Sequence, residues 1–335
     1  MHVLALVNQK GGCGKTTTAV NLAGALATRG EKVLLVDLDP QAHATLALGW
    51  ALDDEASLID VLRDRVTLHE AALAVPGAFH LVPATDELAD FEEVSARMVQ
   101  PEQILRKALD RAALHYEYAI LDCPPRADGV LTANALRAAD TAVLVIESGT
   151  FALQGAIKAV AVLEKISESL EHPFSLRAVG TLFDKRMRIA RDLLVGMQAQ
   201  FGSLLFDTMI RTSVRLREAA AAGVPVQVLD PKSRATSDFH SLAEEVCAHA
   251  EALARSSRAG ERGTQERGLV RTSSASARSS PARTPARAIP SRPTASALPP
   301  RATASGMTPR AAASGIDVSE KTVHDLASSA RSKPR

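Results

Sequence analysis

An apolar run, Val3 to Val7, leads into the loop Asn8-Gln9-Lys10-Gly11-Gly12-Cys13-Gly14-Lys15-Thr16-Thr17, and a helix-period segment follows at once. Few architectures can use such a loop. Its glycines let the backbone curl so that successive N–H groups point inward, and the start of the following helix adds a partial positive charge. Together these make a cradle for the β-phosphate of a nucleotide. Lys15 is placed to reach the β- and γ-phosphates, and the Thr16 hydroxyl to ligate Mg²⁺. Strand, glycine loop and helix in this order predict a phosphate-binding loop comprising Lys10, Gly11, Gly12, Cys13, Gly14, Lys15, Thr16 and Thr17.

The rest of the first 250 or so residues agrees with that start. Apolar strand-like runs alternate with helix-period segments, the pattern of a doubly wound, mostly parallel α/β sheet with helices on both faces. Strands are predicted at Val3 to Val7, Val33 to Val36, Phe79 to Val82, Tyr118 to Leu121, Thr141 to Ile146, Ala178 to Phe183 and Thr208 to Ile210. A helix of about 15 residues joins the first two and ends near Gly30. With 46% hydrophobic residues the chain has ample material for a core. The three cysteines, Cys13, Cys123 and Cys247, have no C-x-x-C spacing, so neither a disulfide framework nor a structural zinc site is expected. No apolar run approaches the length of a membrane span, and a cytoplasmic protein is expected.

Two acidic segments fall where a phosphate-binding sheet needs them. Val36-Asp37-Leu38-Asp39-Pro40-Gln41 ends the second strand at the carboxyl edge, where open α/β sheets bind ligands. Tyr118-Ala119-Ile120-Leu121-Asp122-Cys123-Pro124-Pro125 has the form of a Walker B strand, with Asp122 predicted to hold Mg²⁺. Cys123 reads as a small buried residue.

Lys10, five residues ahead of Lys15, has no use in an ordinary phosphate loop. With it the segment resembles the deviant Walker A family, which includes ParA and Soj, MinD and the nitrogenase iron protein. From residue 1 to about 252 the chain resembles the ParA/Soj partitioning ATPases of chromosomal type, which lack the helix-turn-helix extension of the larger plasmid forms. The resemblance implies ATP and Mg²⁺ as cofactors and a homodimer that closes around ATP, with Lys10 acting in trans on the partner's nucleotide. It implies catalytic roles for Lys10, Lys15 and Asp39, the last orienting the attacking water. Asp37 would join Thr16 and Asp122 in the magnesium shell.

Downstream, Thr181-Leu182-Phe183-Asp184-Lys185-Arg186-Met187-Arg188 and Ile210-Arg211-Thr212-Ser213-Val214-Arg215-Leu216-Arg217-Glu218-Ala219 resemble two further family segments. The family's arginines at the positions of Arg186 and Arg215 contact the DNA backbone; Arg211 and Ala220 stand where the family usually has proline. Composition points the same way. Lys185, Arg186, Arg188 and Arg191 form one basic cluster and Arg211, Arg215 and Arg217 another, within residues 1 to 254 that hold 24 Lys or Arg against 33 Asp or Glu. Arg186, Arg215 and Arg217 are the predicted DNA-binding residues. Contacts of this kind neutralise phosphates and carry no base information, so the DNA would be nonspecific and the protein nucleoid-associated.

After Ala254 the composition shifts to Ser, Ala, Arg, Pro and Thr, with 15 Lys or Arg against 5 Asp or Glu in residues 255 to 335. Three parts are therefore expected: an ATPase domain over 1–254, a disordered basic tail over 255–315, and a stretch over 316–335 with the spacing of a short helix. That last stretch could fold on a partner or be a functionless terminus, and the tail could tether DNA electrostatically. The resemblance further implies a ParB-like or other cargo adaptor that stimulates slow ATP hydrolysis, driving chromosome or plasmid partition or cargo positioning. The alternative, a MinD-like membrane-associated positioning ATPase, needs a terminal amphipathic helix with large apolar residues, and the Pro-, Ser- and Ala-rich tail lacks one. No stable membrane association is expected.

Overall fold

The computed structural model describes residues 1–275 apart from 52–54, 76–78, 127–128, 150 and 185, and describes the backbone alone at 188, 189 and 259–275. Eight strands form one sheet: β1 His2–Val7, β2 Val33–Asp37, β3 Leu73–Val75, β4 Phe79–Val82, β5 Tyr118–Asp122, β6 Thr141–Glu147, β7 Ser175–Phe183 and β8 Leu205–Arg211. Their order across the sheet is β3-β4-β2-β5-β1-β6-β7-β8. All neighbours run parallel except the β3–β4 pair. The doubly wound, mostly parallel sheet expected from the sequence is present.

Both faces of the sheet are covered, and the strand alternation shows how. Leu4 and Leu6 point into one core with Leu35, Ile120 and Val145, closed by α1 (Lys15–Thr28), the helix Val214–Ala221 and the first part of the helix Arg234–Ala275. Val3, Ala5 and Val7 point into the other with Leu34, Val36 and Leu121, closed by helices that include Ile104–Ala112, Val130–Ala138 and Ala152–Ser169. Central strands buried on two faces must be apolar throughout, and β2 is fully buried along its length.

α1 begins on Gly14, whose φ of 91° only glycine adopts without strain, and closes on Gly30 at φ 93°, whose N–H bonds the Ala27 carbonyl. Its alanines let it lie close on the sheet. Asn21 fixes it laterally: its side-chain oxygen accepts from the Val226 N–H at 2.8 Å, and its carbonyl from the Gln227 amide at 2.8 Å.

The differences from the sequence expectation have physical causes. β3 is unexpected, because Leu73-Ala74-Val75 is short, half-exposed at the sheet edge and centred on alanine, a weak strand former. β7 starts at Ser175 rather than Ala178 because Arg177, polar in sequence, lays its guanidinium 4.4 Å over the Phe206 ring. β8 likewise extends to Leu205 and Arg211, beyond Thr208 to Ile210. The final helix runs from Arg234 to Ala275, past Ala254, where composition changes. The expected tail segments from 276 onward lie outside the described residues.

Candidate functional site

In a parallel sheet every strand delivers its last residue to the same edge, so the loops after β1, β2, β5, β6, β7 and β8 meet there. A cavity of about 370 Å³ opens at this edge, lined by Gly11, Gly12, Gly14, Lys15, Thr16, Thr17, Asp39, Gln41 and His43 among others. The predicted loop glycines, Lys15 and Asp39 are thus brought together. Lys15 is buried, and its ammonium curls back to 3.5 Å from the Lys10 carbonyl. Cys13 is fully buried below the loop, where burial pushes its thiol pKa up, so it serves as a wall and not as a nucleophile.

The loop is pinned to a strand that the motif does not reveal. The Thr181 hydroxyl, buried in β7, donates to the Cys13 carbonyl at 2.6 Å and lies 3.3 Å from the Ile146 carbonyl. Leu182, next along, lines the cavity mouth with φ 56°, a left-handed conformation that costs a branched residue about 1–2 kcal/mol. Its carbonyl accepts from Ser148 Oγ at 2.6 Å.

The three predicted acids have different situations. Register places Asp37 of β2 directly beside Asp122 of β5. Asp37 is fully buried and well satisfied: it accepts from the Asp39 N–H at 3.1 Å and from the Thr45 N–H and hydroxyl at 2.9 Å each. Burial nevertheless raises its pKa to about 6, against the pull of those donors. Asp39 accepts from the Gln41 N–H at 3.0 Å and faces the cavity, with His43 Nδ1 4.0 Å from its second oxygen.

Asp122 is 1% exposed, and neither of its oxygens makes a hydrogen bond of normal geometry. Burial, reinforced by the neighbouring Asp37 charge, pushes its pKa up to about 8, while the Thr16 hydroxyl and the Lys15 ammonium oppose the rise. A bare carboxylate in a buried position is costly unless something cationic completes it. Thr16 and Asp122 supply hard oxygen donors beside the phosphate cradle, and these fit Mg²⁺, which takes one or two protein oxygens and keeps its remaining shell for water and phosphate.

Lys10 projects from the loop with 60% of its side chain exposed and its ammonium ion-paired to Glu147 at the end of β6. Its backbone N–H donates to Asn8 Oδ1 at 2.9 Å, and the Asn8 amide donates to the Val145 carbonyl at 2.6 Å. Sequence pattern does not single out Asn8, Glu147, Thr45 or Thr181 for these roles; a polar residue inside the apolar run of β7 is the signal for Thr181.

Of the predicted DNA-binding residues, Arg186, Arg215 and Arg217 are all exposed. They stand in segments that follow the neighbouring strands β7 and β8, joined where the Thr212 N–H donates to the Phe183 carbonyl at 3.1 Å. Arg215 is engaged by Glu218 at 2.7 Å and Asp230 at 3.2 Å. Arg217 has no ion pair among the described residues. Arg211 does not belong with them: its guanidinium forks onto Asp238, with Nε 2.9 Å from Oδ2, and Asp238 also accepts its backbone N–H at 3.1 Å. Lys185 lies outside the described residues, as does the side chain of Arg188.

Fold and loop together define a P-loop nucleotide-binding protein with a second, outward-facing lysine. The AAA domain family model matches residues 1–176. The chromosome partitioning protein ParA of Caulobacter vibrioides is 36% identical over 252 residues, covering 73% of this chain and 94% of the relative. The sporulation initiation inhibitor protein Soj of Bacillus subtilis is 35% identical over 250 residues, covering 74% and 98%. Among solved structures, a protein described as cobyrinic acid a,c-diamide synthase from Mycobacterium smegmatis, with bound ATP analogue and magnesium, superposes with a TM-score of 0.65 at 29% identity, covering 75% and 96%. The chain belongs to the ParA/Soj family of P-loop partitioning ATPases.

Proposed function

We propose that the chain is an ATP- and Mg²⁺-dependent switch that dimerises around nucleotide, binds nonspecific DNA in that state and leaves it on hydrolysis stimulated by a ParB-like or other cargo adaptor. Phosphoryl transfer passes through a loose transition state, so the protein's work is positioning and charge compensation. Loop N–H groups and Lys15 would hold the phosphates, Thr16 and Asp122 the magnesium ion, and Asp39 would orient water. When bound, Mg²⁺ would supply charge compensation for the phosphates. Asp37, expected in the magnesium shell, has its oxygens engaged by the Asp39 N–H and by Thr45, and would act instead by fixing the backbone that carries Asp39. Lys10 would serve the partner's nucleotide, which makes closure depend on a triphosphate.

The observation that carries the reading is spatial: the phosphate loop and the arginine-bearing segments share one sheet edge, linked through Thr181 and the Thr212–Phe183 hydrogen bond. Closing two subunits over that edge would place two sets of Arg186, Arg215 and Arg217 on one surface. Turnover of ATP by the wild type and by Asp39→Ala, with and without DNA, tests the catalytic half. Slow wild-type turnover and at least a tenfold loss in Asp39→Ala, with ATP binding retained, are expected. Equal turnover in both would remove Asp39 from the reaction.

A further inference from the structure

We infer that Glu147 is a positioning residue that holds the Lys10 ammonium within its own chain and so sets the threshold at which two chains close; the inference rests on the proposed role of Lys10 in trans. A lysine meant for a neighbour's nucleotide must be kept out of its own site beforehand. The single chain meets that need from β6. The Glu147 side chain, 16% exposed, sits at the strand's carboxyl end and pairs with the Lys10 ammonium, while Asn8 ties the Lys10 backbone to Val145 of the same strand. Both ends of the lysine are therefore held against β6.

Lys10 cannot reach across an interface while its ammonium remains on Glu147. Closure exchanges one anion for another, a carboxylate in cis for a phosphate in trans, and the exchange is favourable only when the partner presents enough negative charge. A triphosphate offers more of it than a diphosphate, so the latch sharpens discrimination between the two. Glycine at 149 is part of the arrangement: a Cβ there would stand 2.6 Å from Glu147 Oε1, so any larger residue pushes the carboxylate aside.

A pair of this exposure is worth about fivefold in an equilibrium at most. Each dimer must open two latches, so removing them tightens the dimer by up to roughly 25-fold, since two independent contributions multiply. Two variants separate the latch from simple repulsion between Glu147 and phosphate. Glu147→Gln removes the charge, whereas Gly149→Ala keeps it and displaces the carboxylate.

In the nucleotide-free full chain, acylation of Lys10 by an amine-reactive ester, read by mass spectrometry, should rise several-fold in both variants while labelling of Lys158, exposed on the helix Ala152–Ser169, stays constant. With a non-hydrolysable ATP analogue and Mg²⁺, sedimentation should show both variants dimerising at lower protein concentration than wild type. Unchanged Lys10 labelling overturns the latch, and so does tightening confined to Glu147→Gln. If Lys10→Ala dimerises like wild type, the trans role fails and the threshold with it, while labelling still reports on the cis contact by itself.

Discussion

Replacing Asp122 by asparagine should stabilise the nucleotide-free protein while weakening its response to nucleotide and magnesium. The carboxyl has an ordinary pKa of 3.8 in the unfolded chain and about 8 in the fold. The sign follows from linkage: the penalty is absent below pH 3.8, grows as pH rises, and is complete above about pH 8. At pH 7 folding must hold a proton that the unfolded chain has released, at about 1.4 kcal/mol per pH unit, on the order of 4 kcal/mol in all. Asparagine escapes that cost but leaves a buried amide without partners, which returns about 1–3 kcal/mol. A net gain of about 1–3 kcal/mol remains, or roughly 0.5 M in the urea midpoint. Wild type with ATP analogue and Mg²⁺ at 1,000 times Kd should gain about 4.1 kcal/mol through mass action, and the variant much less, so the two curves exchange order. Urea unfolding at pH 7 and at pH 5, with EDTA or with nucleotide and Mg²⁺, measures all of this. An apo Asp122→Asn less stable than wild type at pH 7, or an advantage that fails to shrink at pH 5, would refute the reasoning.

Other substitutions test neighbouring parts of the account. Thr181→Val keeps the side-chain shape but strands the Cys13 carbonyl, and should cost about 1–3 kcal/mol in urea unfolding and weaken binding of an ATP analogue. Asp238→Ala leaves the Arg211 fork without its acceptor and should destabilise by about 1–3 kcal/mol, whereas Glu218→Ala, at an exposed pair, should stay within about 1 kcal/mol in the same melt. Arg217→Ala should leave the melting curve within about 0.5 kcal/mol of wild type yet lower the log–log salt slope of DNA binding by about 0.9 for each phosphate that the arginine neutralises.

What is legible in the sequence is local. The loop from Lys10 to Thr17 and the acids at the ends of β2 and β5 are each written in adjacent residues, and a parallel sheet can only bring such strand ends to one edge. That logic puts Lys15, Thr16, Asp39 and Asp122 together from the sequence alone. The supports of the site are not legible, because they come from far along the chain: Thr181 meets Cys13 across 168 positions and Glu147 meets Lys10 across 137. Nothing in a stretch of arginines says which are free. Arg211 reads like Arg217 until Asp238, on the last helix, is seen to hold it. β3 escapes for a different reason, since edge pairing can be made by residues with little strand preference of their own.

The measurement that bears most directly on the central claim is binding to unrelated DNA fragments with ATP, ADP or no nucleotide, at two salt concentrations, for wild type and Lys10→Ala. Binding that requires ATP, weakens steeply with salt and disappears in Lys10→Ala is the predicted result. Binding that is indifferent to nucleotide, or that survives in Lys10→Ala, would contradict a dimer switched by nucleotide onto DNA.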